Sequence, residues 1–257
     1  MADGRSSDPA PLPRRARLAL AVQRGVGLAL GILWIPLAGF ILRVVLGYRI
    51  HEVSDVRRRF RRLVTSTDAP VLICANHLTM IDSAIVAWAL GGTWWYVPNY
   101  HRMPWNLPER RNFAHSALNR AGAWLVKCIP ITRGGSRDGV TRSLRKVQHV
   151  LSRGESALVF PEGGRSRSGR VEPENVTYGV GRILDALPDC RTLCVYLRGD
   201  RQESWSALPR RGDWFRVQFE LFQPCSDSPS GLRRARELAR QIVRRLHEME
   251  QEYFARR

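Results

Sequence analysis

Short, uninterrupted apolar runs recur along the chain after residue 70, with longer stretches of helical spacing between them. The runs cover residues 71–75, 157–160 and 192–197, and strands of this kind are typical of a sheet covered on both faces. The helical stretches cover residues 80–90, 113–126, 140–153 and 176–187. This order predicts an α/β fold with a single mixed or mostly parallel sheet flanked by helices.

Two further periodic segments lie near the end of the chain. Residues 215–221 alternate strictly between apolar and polar, which predicts a half-exposed strand near a sheet edge. Between Leu232 and Met249 apolar residues recur every three or four positions, opposite a row of arginines. That spacing predicts an amphipathic helix, which we expect to pack on the sheet, with a helix lying on a membrane as the alternative.

A different pattern occurs near the start of the chain, where residues 25–42 contain no charge. As a helix this segment would be about 27 Å long, close to the ~30 Å hydrocarbon core of a bilayer. Arginines precede and follow it, so both ends have the character of cytoplasmic flanks. With Pro36 as a kink, we expect a segment that dips into one leaflet or lies at the interface.

Other interpretations of this segment remain open, namely a cleaved signal peptide and a buried core helix. The domain prediction is a disordered leader at 1–16, a membrane-associating segment with its basic flank at 17–62, and a catalytic domain at 63–257. The arginine-rich stretch at 57–62 fits attraction to anionic headgroups, although a solvated helix face has the same composition.

Charge and cysteine content then narrow the function classes. The 257 residues carry 41 Lys and Arg against 23 Asp and Glu, a net charge of +18, which suits any polyanion. Residues 1–67 contain 12 arginines and four acids, so part of the excess lies beside the apolar segment. The five cysteines include no C-x-x-C pair, which disfavours a zinc site or a disulfide framework.

Candidate chemistry begins where the first apolar run ends, with Asn76, His77 and, five residues after the histidine, Asp82. A histidine at the carboxyl end of a strand lies where open α/β sheets bind ligands. A carboxylate on its Nδ1 would fix the tautomer and leave Nε2 free as a base. The alternative is that Thr79 and Asp82 form a capping box at the start of a helix.

Two more blocks combine arginine and glycine in loops. One is I-P-I-T-R-G-G, which contains Arg133, and the other is F-P-E-G-G-R-S at residues 160–166, which follows the second run. Glycines let a backbone approach a ligand, and arginines suit phosphate. The sequence has no G-x-S-x-G or G-K-[ST] motif, so serine-hydrolase and nucleotide-dependent chemistry lack their usual markers.

Together, in this order, the three blocks resemble the glycerolipid acyltransferases, which carry N-H-x4-D, an Arg-Gly block and F-P-E-G-T-R-S. The resemblance implies that His77 is the general base and Asp82 its orienting partner. It also implies that Arg133, Glu162, Gly163 and Arg165 hold the phosphate and glycerol of the acceptor. The expected reaction is acyl transfer from acyl-CoA or acyl carrier protein to a lysophospholipid, chiefly 1-acylglycerol 3-phosphate, on the cytoplasmic face of the cell membrane.

This mechanism predicts no cofactor beyond the acyl donor, no metal and no nucleic-acid partner; membrane lipid is the expected environment.

Two departures from the family pattern concern the acceptor. Gly164 replaces the usual threonine, and residues 193–196 lack the proline of the fourth block. Another lysolipid, such as a lyso-ornithine lipid, is therefore the alternative acceptor, and a non-catalytic basic protein that binds membranes or nucleic acid is the alternative from another class.

Overall fold

A computed structural model describes residues 12–113, 116–132 and 134–256 of the chain. Within these residues six strands form one sheet, in the order β1-β6-β5-β2-β4-β3. The strands are β1 (Arg49–Ile50), β2 (Val71–Ala75), β3 (Trp105–Asn106), β4 (Ser156–Val159), β5 (Arg191–Gly199) and β6 (Trp214–Leu221). Every pairing is parallel except β5 with β6, so the predicted mixed, mostly parallel sheet is confirmed.

The helices of the described residues flank this sheet. They are α1 (Arg14–Ala29), α2 (Gly31–Phe40), α3 (Val53–Thr65), α4 (Asp82–Leu90), α5 (Thr93–Tyr96), α6 (Arg110–Phe113), α7 (Ala117–Leu125), α8 (Arg137–Ser152), α9 (Gly179–Ala186) and α10 (Leu232–Ala255). A π-helical turn, Ile41–Val45, extends α2, and a short 3-10 helix covers Tyr100–Arg102.

The core lies in two layers because alternate residues of each strand face opposite sides. On β2, Leu72 and Cys74 belong to the layer shared with α8, α9 and α10. Val71, Ile73 and Ala75 belong to the other layer, with α3 and α4. The apolar face of α10 is buried in the first layer, so the prediction that it packs on the sheet is confirmed.

Residues 25–42 lie at the end of α1 and in α2 with the turn that follows, and the two helices meet at a bend of 68°. The pair as a whole is less apolar than this segment, because α1 also contains four arginines. No single helix in the described part of the chain is long and apolar enough to cross a membrane, but Arg14–Ala29 and Gly31–Val45 meet that test together. The break is at Leu30, whereas Pro36 lies inside α2, so the predicted kink position is wrong. Most of the predicted 1–16 leader lies outside the described residues, and α1 begins at Arg14.

One side of the bent pair contacts the sheet domain and the other is exposed. Gln23 Nε2 donates to the backbone oxygens of Trp124 (2.8 Å) and Cys128 (3.0 Å). The large apolar side chains on the opposite side are 38–68% exposed, from Leu18 through Leu33 to Val45. A buried core helix is therefore the wrong interpretation of this segment.

Candidate active site

The sheet topology brings the first and third sequence blocks together. β2 and β4 are adjacent and parallel, so the residues that follow them emerge at the same edge. Asn76 fixes the end of β2, because its side-chain amide donates to the Leu197 oxygen (3.0 Å) and accepts from the Leu197 N–H (2.8 Å). The next residue, His77, thus leaves the sheet directly after a residue that is bonded to β5.

His77 is mostly buried, with 12% of its side chain exposed. Its Nδ1 lies 3.1 Å from Asp82 Oδ2, and its ring stacks on Phe160 with 3.9 Å between centroids and 10° between planes. Because an ionised carboxylate only accepts hydrogen bonds, Nδ1 is the donor in this contact. The other nitrogen, Nε2, makes no hydrogen bond to any of the described residues.

Asp82 is the first residue of α4 and is 3% exposed. Its Oδ2 also accepts the backbone N–H groups of Leu78 (2.6 Å) and Thr79 (2.7 Å), and its Oδ1 accepts the Thr79 hydroxyl. Ile81 occupies the N-cap position, so Thr79 does not cap α4, but the Asp82 carboxylate accepts the Thr79 N–H as the acid of a capping box does. The same carboxylate also contacts the His77 ring, so the structure combines the two interpretations.

Glu162 lies beneath the site and not on its surface, with 2% exposure. Its Oε1 accepts the His77 backbone N–H at 3.2 Å, and burial raises the pKa of its carboxyl to about 8. Ser166 N–H donates to the His77 oxygen at 2.9 Å, so the third block is tied to the first at two points. Glu162 therefore supports the loop and does not line the cavity where a substrate would lie.

Gly163 also supports the loop, through its backbone conformation. Its φ of +71° is one that L residues rarely adopt, and a Cβ there would lie 1.9 Å from Thr177 Cγ2. Gly164, the residue that departs from the family pattern, does line the cavity.

The arginines of the third block reach the open part of the site. Arg165 stacks over Trp205 at 5.0 Å from the ring centroid, and its Nη1 donates to the Ser206 oxygen at 3.5 Å. Arg165 and Arg167 both line the same cavity as His77. Arg133, the basic residue of the second block, lies outside the described residues.

A cavity of about 640 Å³ joins these side chains to an apolar chamber. Met80 lines it from the turn before α4, and Ala84 and Ala87 line it from one face of α4. Ile35, Gly39 and Leu42 line it from α2 and the turn that follows. The cavity thus combines an imidazole and two guanidinium groups at one end with an apolar wall.

Several of these residues were not candidates in the sequence analysis. Phe160 and Trp205, which stack on His77 and Arg165, were assigned no role there, although an aromatic residue directly before P-E-G is a usable signal. The α2 residues were assigned to the membrane segment and not to the cavity. No pattern along the chain predicts that contact, because it depends on the bend at Leu30.

The described residues contain no group of three or more His, Cys, Asp or Glu side chains arranged to hold a metal ion. Burial accounts for the four inner cysteines. Cys74, Cys128, Cys190 and Cys194 are buried, and desolvation raises the pKa of each thiol. They fill the core as small apolar side chains.

A family model described as Acyltransferase matches residues 48–224, about two thirds of the chain. No curated protein matches. The fold is similar to the crystal structure of the 1-acyl-sn-glycerophosphate (LPA) acyltransferase, PlsC, from Thermotoga maritima, with 14% identity, a TM-score of 0.40, and coverage of 91% of this chain and 97% of that chain.

Proposed function

The chain belongs to the Acyltransferase family, and from that premise we propose that it transfers an acyl group from a thioester to the free hydroxyl of a lysophospholipid. The donor is acyl-CoA or acyl carrier protein, and the preferred acceptor is 1-acylglycerol 3-phosphate, which gives phosphatidic acid. The observation that carries the proposal is the His77–Asp82 contact at the mouth of a cavity that is basic at one end and apolar along α4.

In the proposed reaction His77 Nε2 removes the proton from the acceptor hydroxyl while that oxygen attacks the thioester carbonyl. Asp82 holds Nδ1 and stabilises the imidazolium that forms. The tetrahedral intermediate then collapses, the carbon–sulfur bond breaks, and the imidazolium returns its proton to the leaving thiolate. The products are one ester and one free thiol, so the step needs no redox partner.

The basic end of the cavity suits the acceptor phosphate. Arg165 and Arg167 present guanidinium groups, which bind phosphate oxygens in pairs. We assign Arg133 to the same phosphate on the basis of the resemblance. The Gly164 N–H adds a backbone donor, since the Gly163 N–H is bonded to the Phe160 oxygen at 3.0 Å. Glu162 acts by holding the loop and not by contacting the acceptor.

The apolar wall suits an acyl chain, because Ala84 and Ala87 leave space next to α2. The exposed apolar side of α1 and α2 then gives the enzyme its membrane face, with chains entering the cavity from the lipid. We place the protein on the cytoplasmic face of the cell membrane, because arginines lie on both sides of the uncharged residues 25–42.

A thiol-release assay with palmitoyl-CoA and 1-oleoylglycerol 3-phosphate tests the proposal. Loss of a general base lowers turnover by about 10³-fold, which is the expected result for His77→Ala. His51→Ala is the matched control, because His51 also contacts an aspartate, Asp200, at 2.7 Å but does not line the cavity. Normal turnover by the His77 variant contradicts the mechanism.

Gly164 favours a second acceptor class. It lines the cavity at the position where the family usually has threonine, so the threonine hydroxyl is not there to contact the acceptor. A lyso-ornithine lipid, offered in competition with 1-acylglycerol 3-phosphate, tests this alternative. Preference for the lyso-ornithine lipid would replace the acceptor assignment and leave the His77 mechanism intact. No thiol release with any acceptor, from folded protein, would favour the non-catalytic alternative.

A further inference from the structure

A second cavity lies at the opposite end of the sheet from His77. Its volume is about 260 Å³, and Glu155, which directly precedes β4, lies in its wall. His77 and Phe160 mark the carboxyl ends of β2 and β4, so β4 separates the two cavities. The second cavity is also formed by α1 and by the end of α8, and the side chains that carry charge or titrate are Arg17, Arg24, His101, His149, Arg153 and Glu155.

The single acid in the wall of this cavity is already paired. Glu155 Oε1 accepts from Arg24 Nε at 2.8 Å. Its Oε2 lies 2.7 Å from the fully buried Lys127 Nζ and accepts from Trp105 Nε1 at 2.7 Å. The Glu155 charge is therefore offset by Lys127 behind the wall, and the remaining arginines keep their positive charge facing the cavity.

Arg17 and Arg153 have no ion pair with any residue in the described ranges. Their field acts on the neighbouring rings, because burial, Arg153 and Arg17 together lower the pKa of His149. The pKa of His101 is lowered in the same way, by burial first and then by nearby cations. Several cations around one concave space, without a free acid, form a site for an anion.

The position of the cavity indicates which anion it holds. Arg17 and Arg24 come from α1, whose opposite side exposes Leu18 and Val22. Guanidinium groups pair with phosphate oxygens, and a phosphate bound beside an exposed apolar helix has the position of a lipid headgroup. We propose that this cavity binds the phosphate of an anionic phospholipid, at a site separate from the acyl-transfer cleft. The proposal does not depend on acyl transfer, since binding is measured without turnover.

The test measures binding of dihexanoyl phosphatidylglycerol, below its micellar concentration, to the full chain in neutral detergent. The Arg165→Gln background weakens the phosphate site proposed for the acceptor. In that background Arg17→Gln with Arg153→Gln should weaken binding at least tenfold. The matched control is Arg240→Gln with Arg244→Gln, which removes the same charge from exposed positions of α10 and should change binding less than twofold.

A second variant separates a shaped site from diffuse surface charge. Ala21 is exposed on α1 and lines the cavity, so Ala21→Phe fills the space and leaves every charge in place. We expect it to weaken binding as much as the double arginine variant does. Unchanged binding by either variant overturns the site.

Two further ligands identify the source of the phosphate. We expect dihexanoyl phosphatidylcholine, which is zwitterionic, and inorganic phosphate each to bind at least tenfold more weakly than dihexanoyl phosphatidylglycerol. Equal binding of inorganic phosphate overturns the assignment to a lipid headgroup, and equal binding of phosphatidylcholine overturns the requirement for net negative charge.

Discussion

The buried carboxyl of Glu162 accepts a hydrogen bond from the backbone N–H of His77 at 3.2 Å. The third sequence block therefore supports the backbone of the first block at His77, while Arg165 of the third block lines the cavity. The geometry divides the P-E-G-G-R segment into residues that hold the loop and residues that face the space for substrate. Each group predicts a different response to substitution.

Glu162→Gln should remove a dependence of stability on pH. Burial raises the pKa of Glu162 from 4.5 to about 8, so between these values the folded protein binds more protons than the unfolded chain. Stability should therefore fall as pH rises, by about 2 kcal/mol from pH 6 to pH 8. The Gln variant keeps the amide oxygen for His77 and should lack this decline.

Urea unfolding across pH 5 to 9 measures the difference in free energy of unfolding between wild type and Glu162→Gln. Glu174→Gln is the control, because Glu174 is exposed in the same loop region. Parallel curves for wild type and Glu162→Gln would contradict a buried, protonated carboxyl at this position.

Asp82→Asn should lower kcat by about 10²- to 10⁴-fold with little change in the KM of either substrate. The amide can donate to His77 Nδ1, which stabilises the wrong tautomer and leaves Nε2 protonated. Asp82 also accepts the N–H groups of Leu78 and Thr79, so the substitution can destabilise the loop. The thermal unfolding midpoint of Asp82→Asn must therefore be compared with that of wild type. Equal kcat values would show that Asp82 serves only to hold the loop.

Gly163→Ala should destabilise the protein by about 1–3 kcal/mol, because it combines a steric clash with a strained backbone. The clash is with Thr177 Cγ2, whereas the Thr177 hydroxyl donates to the Pro161 oxygen at 2.9 Å. Adding Thr177→Ser removes the methyl group and keeps that bond, so the double variant should recover part of the loss. Thermal unfolding of the single and double variants tests this.

Gly122→Ala is the control for that pair, since Gly122 lies inside α7 with open space at its Cβ position. It should be neutral or stabilising by about 0.5–1 kcal/mol. A Gly163→Ala protein as stable as wild type would show that the loop can adopt another conformation.

Much of this site could be predicted from the sequence pattern, because the first and third blocks each follow a predicted strand. The two strands, β2 and β4, are adjacent and parallel, so their carboxyl ends lie together. Residues 71–75 form a strand with the predicted bounds, and β4 begins one residue earlier than predicted. The strands β1 and β3 were missed because two residues carry no period. From the motif, Glu162 was expected to contact the acceptor, whereas its side chain is buried and does not line the cavity. A motif gives the order of residues along the chain and not the direction in which each side chain points.

The contribution of α2 to the cavity depends on packing between distant segments. A long apolar run predicts a membrane segment equally well whether or not one of its faces lines a site. Only the fold shows that Ile35 and Gly39 face α4 and α5 while Leu33 and Leu37 remain exposed. Spacing and composition therefore could not predict where the apolar wall of the cavity lies, the wall at which we propose that the acyl chain binds.

Ala84→Phe should shorten the space for the acyl chain, because Ala84 lines the cavity one turn after Met80. We expect kcat/KM for a C16 thioester to fall at least tenfold and that for a C8 thioester to change less than threefold, as each excluded methylene costs about 0.8 kcal/mol. The control, Ala121→Phe, enlarges an exposed residue of α7 outside the cavity. Equal losses for both donors would place the acyl chain elsewhere.

Arg165→Gln should raise the KM for 1-acylglycerol 3-phosphate by about 10- to 100-fold, since a charge-assisted hydrogen bond contributes about 1.5–3 kcal/mol. The kcat of this variant should change much less, because the Arg165 side chain stacks on Trp205 and does not contact the His77–Asp82 pair.

Arg165→Lys keeps the charge but loses the paired donors and the stacking, so its KM should lie between the KM of Arg165→Gln and that of wild type. Arg191→Gln, at the exposed start of β5 and the far end of the sheet, is the control. If both Arg165 variants leave the KM unchanged, the acceptor phosphate binds elsewhere and Arg165 has only the structural contact with Trp205.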